Sequence, residues 1–263
     1  MEKVLVPIVE SYDTSEEYLY KDKFNYLKGI AKQGKFRNMA KALPLARFLH
    51  DGQHRKGYTE VNGQMVQLPY VLHVLKVCST LEEISDSFEE SFSREDFDLL
   101  YTSALLHDVI EDCNKHFSKG GIELVTEYGF PPEVFDIVRL VSKFSGADEY
   151  ELNAYFNAIK KNKFALLVKL ADRSHNVEDL HNLGIEKLHK YVKETRDYIY
   201  PLASYGKQHY PEIANAITIL KDKIVSLTEE AETLAETFEA TLAQKDEEIN
   251  QLRAELEALK SQK

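Results

Sequence analysis

The chain has 263 residues, enough for one sizeable domain and an appendage, and its 43% hydrophobic content with 13 Phe and 15 Tyr can supply a substantial core. Its formal charge of −11 excludes a general nucleic-acid binder, because no basic surplus is available to neutralise phosphates. Local clusters of Lys and Arg can still bind a small anionic ligand.

Few features indicate export or membrane insertion. The two cysteines, Cys78 and Cys113, are too few and too far apart for a disulfide framework or a thiolate metal site. The first residues lack the basic segment and apolar core of a signal peptide. No run reaches the roughly 18–20 apolar residues of a membrane span. We therefore expect a soluble cytoplasmic protein without a membrane partner.

Helical periodicity dominates the chain from the N-terminus onward. Residues 1–37 form a polar and aromatic N-terminal extension, and residues 38–221 form an all-α domain. Its first helix ends near residue 50, and the Gly-rich loop that follows contains a short hairpin around Val61–Val66. Further predicted helices begin at Pro69, Ser93 and Pro131 and then cover residues 164–180, 188–200 and 213–227.

Residues 222–263 form a C-terminal segment without Gly or Pro that is rich in Ala, Glu, Leu and Lys. Its apolar residues follow a spacing of three and four, with a slip of four residues that is typical of a stutter in a coiled coil. A long helix with one apolar stripe is poorly stable alone. We therefore expect a homo-oligomer that forms through this helix. The predicted stripe contains Ile224, Leu227, Ala231, Leu234, Phe238, Leu242, Ile249, Leu252, Leu256 and Leu259.

Polar residues interrupt otherwise apolar helices at three places. His107 and Asp108 lie between apolar neighbours, and Asp172 lies in a second apolar run. His50 ends an earlier helix, although His54, one turn on, is an alternative. Buried carboxylates and imidazoles are costly unless they are paired or bind a metal. These four residues form a mixed nitrogen and oxygen set that suits a divalent ion such as Mn²⁺, Fe²⁺ or Zn²⁺.

The order of the motifs resembles the hydrolase domain of the RelA/SpoT homologue family, the HD-type enzymes that degrade guanosine alarmones. The first motif is Ala46–Lys56, and the HD motif with a Glu-Asp extension is Ala104–Asp112. The last metal motif is Leu167–Asn176, and Glu194–Ala203 is similar to the segment that closes the domain. Since no synthetase domain follows, the chain is most similar to the small alarmone hydrolases.

The resemblance implies an HD-domain helical bundle with one divalent metal, which we expect to be Mn²⁺. His50, His107, Asp108 and Asp172 would be its ligands. The resemblance further implies that Glu111 and Asp112 position or deprotonate the attacking water, although both could be surface carboxylates at a helix end. His54, His73 and His175 are expected to be surface or supporting histidines. The expected substrate-binding residues are Arg55, Lys56, Asn176, Lys143 and, for stacking on the base, Lys41.

The expected reaction is hydrolysis of the 3′-pyrophosphate of ppGpp or pppGpp to GDP or GTP and pyrophosphate. One alternative is an HD phosphohydrolase that acts on another nucleotide, such as an adenosine alarmone or a deoxynucleotide. A second alternative is a non-catalytic nucleotide-binding protein that presents its coiled coil to a partner. The complete set of ligands, together with Glu111 and Asp112, argues against this second alternative, because a site without a function has no reason to keep costly buried charges.

Overall fold

The computed structural model describes residues 14–113, 115–143, 146–180 and 183–260, apart from the side chains of Thr14, Ser15 and Leu259. Its regular structure is almost entirely helical, so the all-α prediction is confirmed. Within these ranges no helix is both long and apolar enough to cross a membrane. The α-helices are α1 (Lys21–Gln33), α2 (Arg37–Leu49), α3 (Val71–Glu83), α4 (Arg94–Leu106), α5 (Val109–Asp112), α6 (Glu123–Thr126), α7 (Pro132–Val141), α8 (Glu149–Ile159), α9 (Lys163–Glu178), α10 (Ile185–Glu194), α11 (Tyr200–His209) and α12 (Ala214–Lys260).

Helix α9 lies at the centre of the core, with α3, α7, α11 and α12 packed around it. Leu166, Leu167, Val168 and Leu170 are all fully buried, so this helix is apolar on nearly every face. Burial of each of these side chains stabilises the fold by roughly 1.5–3 kcal/mol. A carboxylate in such a helix is costly unless it has partners, and Asp172 is placed there.

The described part of the N-terminal region is packed onto the domain. Thr14–Leu19 forms a 3₁₀ turn, and α1 contacts α2 and α3 through Leu27 and Ala31, which are buried. Residues 14–33 therefore contribute to the core even though the sequence marks them as an extension. The division of the chain at residues 37 and 221 stays a prediction.

The predicted hairpin forms between α2 and α3. Strands β1 (Thr59–Val61) and β2 (Gln64–Val66) are antiparallel, with Thr59 opposite Val66. Asn62 and Gly63 both have positive φ, at 52° and 80°, as a two-residue turn of the primed type requires. The hairpin closes the loop that carries His54, Arg55 and Lys56.

The helix that approaches the HD motif begins at the predicted residue but ends before the motif. Ser93 caps α4, since its hydroxyl accepts the N–H of Asp96 while the Asp96 side chain accepts the N–H of Ser93. The prediction that His107 and Asp108 lie within a helix is wrong, because α4 ends at Leu106 and α5 starts at Val109. The turn at His107 and Asp108 therefore lies between two helices.

Helix α12 carries one continuous line of residues, which we call the seam. In the first part of the helix the seam is buried against the domain, where its residues are at most 7% exposed. Alternating steps of four and three residues continue the same line beyond the domain. The buried seam residues are Ile224, Thr228, Ala231 and Ala235, and the continuation is Phe238, Leu242, Lys245, Ile249, Leu252 and Leu256.

Where α12 packs on the domain, the buried residues differ from the predicted stripe, while the stutter in a coiled coil stays a prediction. The sequence placed Leu227 and Leu234 on the stripe; Leu227 is partly buried against the core, whereas Leu234 is 57% exposed and flanks the seam. Thr228 and Ala235 occupy the seam instead, so its spacing is regular from Ile224 onward. The side chain of Leu259, also predicted on the stripe, lies outside the described residues.

Candidate active site

A cavity of about 510 Å³ opens where the turn between α4 and α5 faces α9 and α10. Most of its lining side chains are charged, with both signs present. The lining residues are His54, Arg55, Lys56, Tyr70, Asp108, Glu111, Asp112, Lys143, Lys169, Asp172, Arg173, Asn176, Asp179, Leu183, Lys187, Tyr191 and Glu194.

Two imidazoles and two carboxylates meet at this cavity. Ligand atoms of His73, His107 and Asp108 lie within 4.8 Å of one another. Oδ2 of Asp108 is 3.3 Å from Nε2 of His73 and 3.1 Å from Nε2 of His107. Oδ1 of Asp172 is 3.3 Å and 3.7 Å from the same two nitrogens. The four side chains form a compact group of nitrogen and oxygen donors.

The histidines in and beside this group present unpaired nitrogens. Nδ1 of His107 lies 2.8 Å from the carbonyl of Ala104, and Nδ1 of His50 lies 2.8 Å from Oε1 of Gln53. These acceptors place a proton on Nδ1, so that Nε2 is the nitrogen that offers its lone pair when the ring is neutral. Among the described residues, Nε2 of His50, His73 and His107 has no hydrogen-bond partner, although all three are buried. Because unpaired buried nitrogens are costly, these residues fit a divalent cation.

Neighbouring groups favour the charged form of Asp172, which is buried, and of Asp108, which is half-buried. Burial opposes the charge on Asp108, but His107 holds the pKa of that carboxyl well below its usual range. Burial also opposes the charge on Asp172, whose pKa the Lys169 ammonium lowers well below its usual range. The cavity therefore presents two anionic oxygen donors beside imidazole nitrogens, which is the donor set that metals such as Mn²⁺, Fe²⁺ and Zn²⁺ accept.

Helix α9 holds Asp172 through one residue in the turn before it and one in the turn after it. Lys169 Nζ lies 2.9 Å from Oδ2, and Asn176 donates to Oδ1. Asn176 therefore shares the face of Asp172, as the four-residue spacing requires. Its Oδ1 accepts a hydrogen bond from Arg55 at 3.0 Å, which connects the carboxylate to the loop before the hairpin.

Glu111 and Asp112 lie at the cavity wall. Oε2 of Glu111 accepts the N–H of Lys143 at 2.8 Å, which fixes this carboxylate to the end of α7. Burial raises the pKa of both Glu111 and Asp112. A raised pKa makes a carboxylate a better proton acceptor near neutral pH. The geometry thus places two candidate bases beside the donor group.

The cations predicted to bind substrate are not all at the cavity. Arg55 lines it and is held by Asp179 at 2.7 Å, while Lys56 and Lys143 also line it. Lys41 does not belong to the lining, because its Nζ lies 4.4 Å from the centre of the Phe130 ring. The structure therefore gives no contact that supports stacking of Lys41 on a base.

Two residues of the site were missed from the sequence. His73 was expected to be a surface or supporting residue, but it is 1% exposed, and its Nδ1 lies 2.6 Å from Nδ1 of His175. Tyr70 stacks on His50 and donates to Asp108 Oδ2 at 2.7 Å. The Pro-Tyr-x-x-His spacing was the available signal, since it places both side chains at the start of α3. His54, the alternative to His50, pairs instead with Glu16 at 2.9 Å.

A half-buried carboxylate in the cavity wall was also missed. Glu194 lies between Arg173 at 2.5 Å and Lys143 at 2.7 Å. Arg173 also lies 4.1 Å from the centre of the Tyr191 ring and donates to Thr195 at 3.1 Å. Burial would raise the pKa of Glu194, but the charge of Arg173 lowers it to about 2. This network fixes α10 to α9 and holds the Lys143 segment in place.

We expect Glu194→Gln to destabilise the fold by roughly 2–3 kcal/mol at pH 7, because a pKa shift of one unit corresponds to about 1.4 kcal/mol. A lowered pKa stabilises the folded state above the unfolded value, and this contribution is lost as the pH falls towards 2. Denaturant unfolding should therefore show a difference from wild type that shrinks between pH 4.5 and pH 2. Glu186→Gln, an exposed change on α10, is the control. A difference that is constant with pH would contradict the role of the charge.

Comparison with known proteins identifies an HD domain in residues 70–177. The chain is 27% identical over 194 residues to the bifunctional (p)ppGpp synthase/hydrolase SpoT of Escherichia coli K12, which covers 71% of this chain and 24% of that protein. It is 34% identical over 140 residues to the guanosine-3′,5′-bis(diphosphate) 3′-pyrophosphohydrolase MESH1 of Drosophila melanogaster, covering 52% of this chain and 66% of that protein. The chain thus spans about a quarter of the bacterial relative.

Proposed function

Because this chain belongs to the HD-domain family that includes these alarmone hydrolases, we propose that it hydrolyses the 3′-pyrophosphate of ppGpp and pppGpp. Water adds to the phosphorus joined to the ribose 3′-oxygen, the bond between them breaks, and the 3′-oxygen takes a proton. The products are GDP or GTP and pyrophosphate. The observation that carries this proposal is the convergence of unpaired imidazole nitrogens on Asp108 and Asp172 at a cavity rich in cations.

We assign the metal-binding role to His50, His107, Asp108 and Asp172, with His73 beside them. Mn²⁺ is the proposed ion, since the set mixes imidazole and carboxylate donors without thiolates. When bound, a divalent ion would lower the pKa of water and polarise a phosphoryl oxygen. Gln53 and Ala104 orient His50 and His107 through Nδ1, which directs Nε2 of each ring away from these acceptors.

Glu111 and Asp112 accept the proton of the attacking water in this proposal. Their raised pKa values suit that task, and Lys143 orients Glu111 through its backbone N–H. Arg55, Lys56 and Lys143 neutralise the charge that accumulates on the phosphoryl oxygens of the attacked 3′-pyrophosphate. Arg55 has a defined position for this, because Asp179 and Asn176 hold its guanidinium at the cavity. Asn176 is assigned to the ribose or phosphate.

A substrate panel with Mn²⁺ tests the proposed reaction. We expect the protein to release pyrophosphate from ppGpp and pppGpp, because the donor group and the cations lie at one cavity. Adenosine alarmones and deoxynucleotides are the comparison substrates, and the products are separated by ion-exchange chromatography. Release of orthophosphate would instead favour a phosphohydrolase of another nucleotide. Binding of ppGpp without turnover would favour a non-catalytic nucleotide-binding protein.

Two further aspects belong to this proposal. We place the protein in the cytoplasm, since Cys78 and Cys113 are both free and buried, which suits a reducing compartment.

We also propose that the chain self-associates through α12. The support for self-association is the row of apolar side chains that this helix exposes beyond the domain. An exposed apolar row of this length is typical of a surface that another molecule covers.

A further inference from the structure

The exposed seam of α12 continues the face that the domain covers. Ala231 and Ala235 are 7% and 4% exposed, whereas the seam residues from Phe238 onward are between 44% and 65% exposed. Spacing alternates between three and four residues throughout, as in a coiled coil. The domain therefore covers the seam as far as Ala235. The apolar seam residues beyond it need another molecule to cover them.

A second copy of the chain could pair with this seam in two orientations. In a parallel pair each seam residue faces the same residue of the partner helix. The domain, however, lies on the seam side of α12 between Ile224 and Ala235, where the second helix would have to run. A straight helix turns its seam by only about 20° per heptad. Roughly 60° of rotation over three heptads does not move the domain out of that space.

An antiparallel pair avoids this collision. The exposed parts of the two helices then overlap side by side in opposite directions. Residue 260 of each helix lies near residue 241 of the partner, on the C-terminal side of the partner's domain. Residues 238–260 extend roughly 33 Å at 1.5 Å per residue. That length gives about three heptads of contact without either domain entering the seam.

The residues of the seam favour the same orientation. Lys245 lies between Leu242 and Ile249 on the seam. A parallel pair would place Lys245 against Lys245 of the partner subunit, and two facing cations repel. Antiparallel pairing that sets Ile249 opposite Leu252 also sets Lys245 opposite Leu256. The stem of Lys245 can then cover the leucine while its ammonium stays in water beside Glu248, 2.8 Å away.

Charges beside the seam agree with this alignment. The alignment brings Asp246 opposite Arg253 of the partner subunit, and it does so twice because the pair is symmetric. The opposite flank brings Glu248 near Glu255 of the partner subunit, where the ammonium of Lys245 offsets the repulsion. Shifting the alignment by one heptad would instead place Asp246 against Asp246, or Arg253 against Arg253. One alignment therefore pairs opposite charges on the first flank.

We infer that residues 238–260 pair with a second copy of this chain as an antiparallel two-stranded coiled coil, with Lys245 opposite Leu256 and Asp246 opposite Arg253. This inference rests on the proposed self-association and adds the partner, the orientation and the alignment. The two cavities then lie at opposite ends of the assembly, so each site is built from one chain.

Disulfide trapping in the full-length protein tests the orientation. Lys245→Cys and Leu256→Cys are made as separate variants and oxidised alone or after mixing and re-equilibration. Antiparallel pairing should give cross-linked dimers only in the mixture, because like positions are roughly 16 Å apart. Wild type is the control, since its cysteines are buried. Cross-links of each variant with itself would overturn the orientation.

Light scattering on the wild type tests the partner. We expect twice the chain mass of 30.3 kDa, and we expect Asp246→Arg to weaken the dimer at least several-fold and Asp246→Arg/Arg253→Asp to restore it. A monomer or a larger assembly would overturn the inference. Pyrophosphate release by the same samples separates this result from the proposed function. Activity without dimers would refute only the pairing, and dimers without activity would refute only the hydrolase.

Discussion

Asp108→Ala should abolish turnover and metal binding while the helical fold survives. Oδ2 of Asp108 lies beside two imidazole nitrogens and accepts a hydrogen bond from Tyr70, so the change removes one of two anionic donors and leaves these groups unpaired. Loss of a supporting residue alone costs about 10–100-fold in metal affinity, and loss of a direct ligand should cost more. Elemental analysis, circular dichroism and pyrophosphate release on one preparation measure all three effects.

Asp136→Ala is the matched control, because this aspartate is exposed on α7 and does not line the cavity. It should keep wild-type metal content and turnover. Turnover like that of wild type in Asp108→Ala at saturating Mn²⁺ would refute the assignment of Asp108. Unfolding of the variant would be visible in the dichroism, and Asp108→Asn, which preserves the shape of the side chain, would then replace it in the same assay.

The sequence predicted the donors that interrupt apolar helices. His107, Asp108 and Asp172 are polar residues in apolar runs, and burial of such groups has a high cost that a local pattern reveals. His73 was missed for the opposite reason. A single histidine on an apolar helix face is most often an ordinary core residue, and its contacts with Asp108 and Asp172 join residues 35 and 99 positions away along the chain.

The network of Glu194 was beyond sequence reasoning for a related reason. Its partners Arg173 and Lys143 lie on other elements, and α10 is strongly amphipathic without any local sign of a buried carboxylate. The predicted helix 188–200 is helical throughout, but α10 ends at Glu194 and a π-helix covers Thr195–Ile199. Pro201, two residues after the π-helix ends, supplies no backbone N–H, but the sequence composition around it does not predict a π-helix.

The seam shows a limit of ranking residues by hydrophobicity. Leu234 was predicted to be inside and Ala235 was not considered, yet the structure buries the alanine. Small side chains let a helix approach its neighbours closely, so Thr228, Ala231 and Ala235 fit where a leucine would not. An apolar stripe therefore has to be read by its spacing as well as by the size of its residues.

The second large effect is expected from Glu111→Gln/Asp112→Asn. We expect this variant to retain metal yet lose about 10²-fold or more in kcat, because removal of a general base costs this much without changing the metal ligands. Burial raises the pKa of both carboxyls, so the activity of wild type should fall on the acidic side at a higher pH than ordinary carboxylates would give. The variant should lack that acidic fall, since amides do not titrate in this range.

Three measurements separate proton transfer from the other roles of these residues. Metal content shows whether Glu111 or Asp112 is a ligand. A loss of metal in the double variant would mean that at least one of these two residues binds the metal. Glu127→Gln changes an exposed residue that does not line the cavity, so it controls for the loss of a surface charge and should leave kcat and its pH profile unaltered. The pH profile of kcat decides whether Glu111 and Asp112 act as bases or only position other groups. A group that only orients Lys143 would lower kcat equally at every pH, whereas a base links the loss of kcat to the loss of the acidic limb.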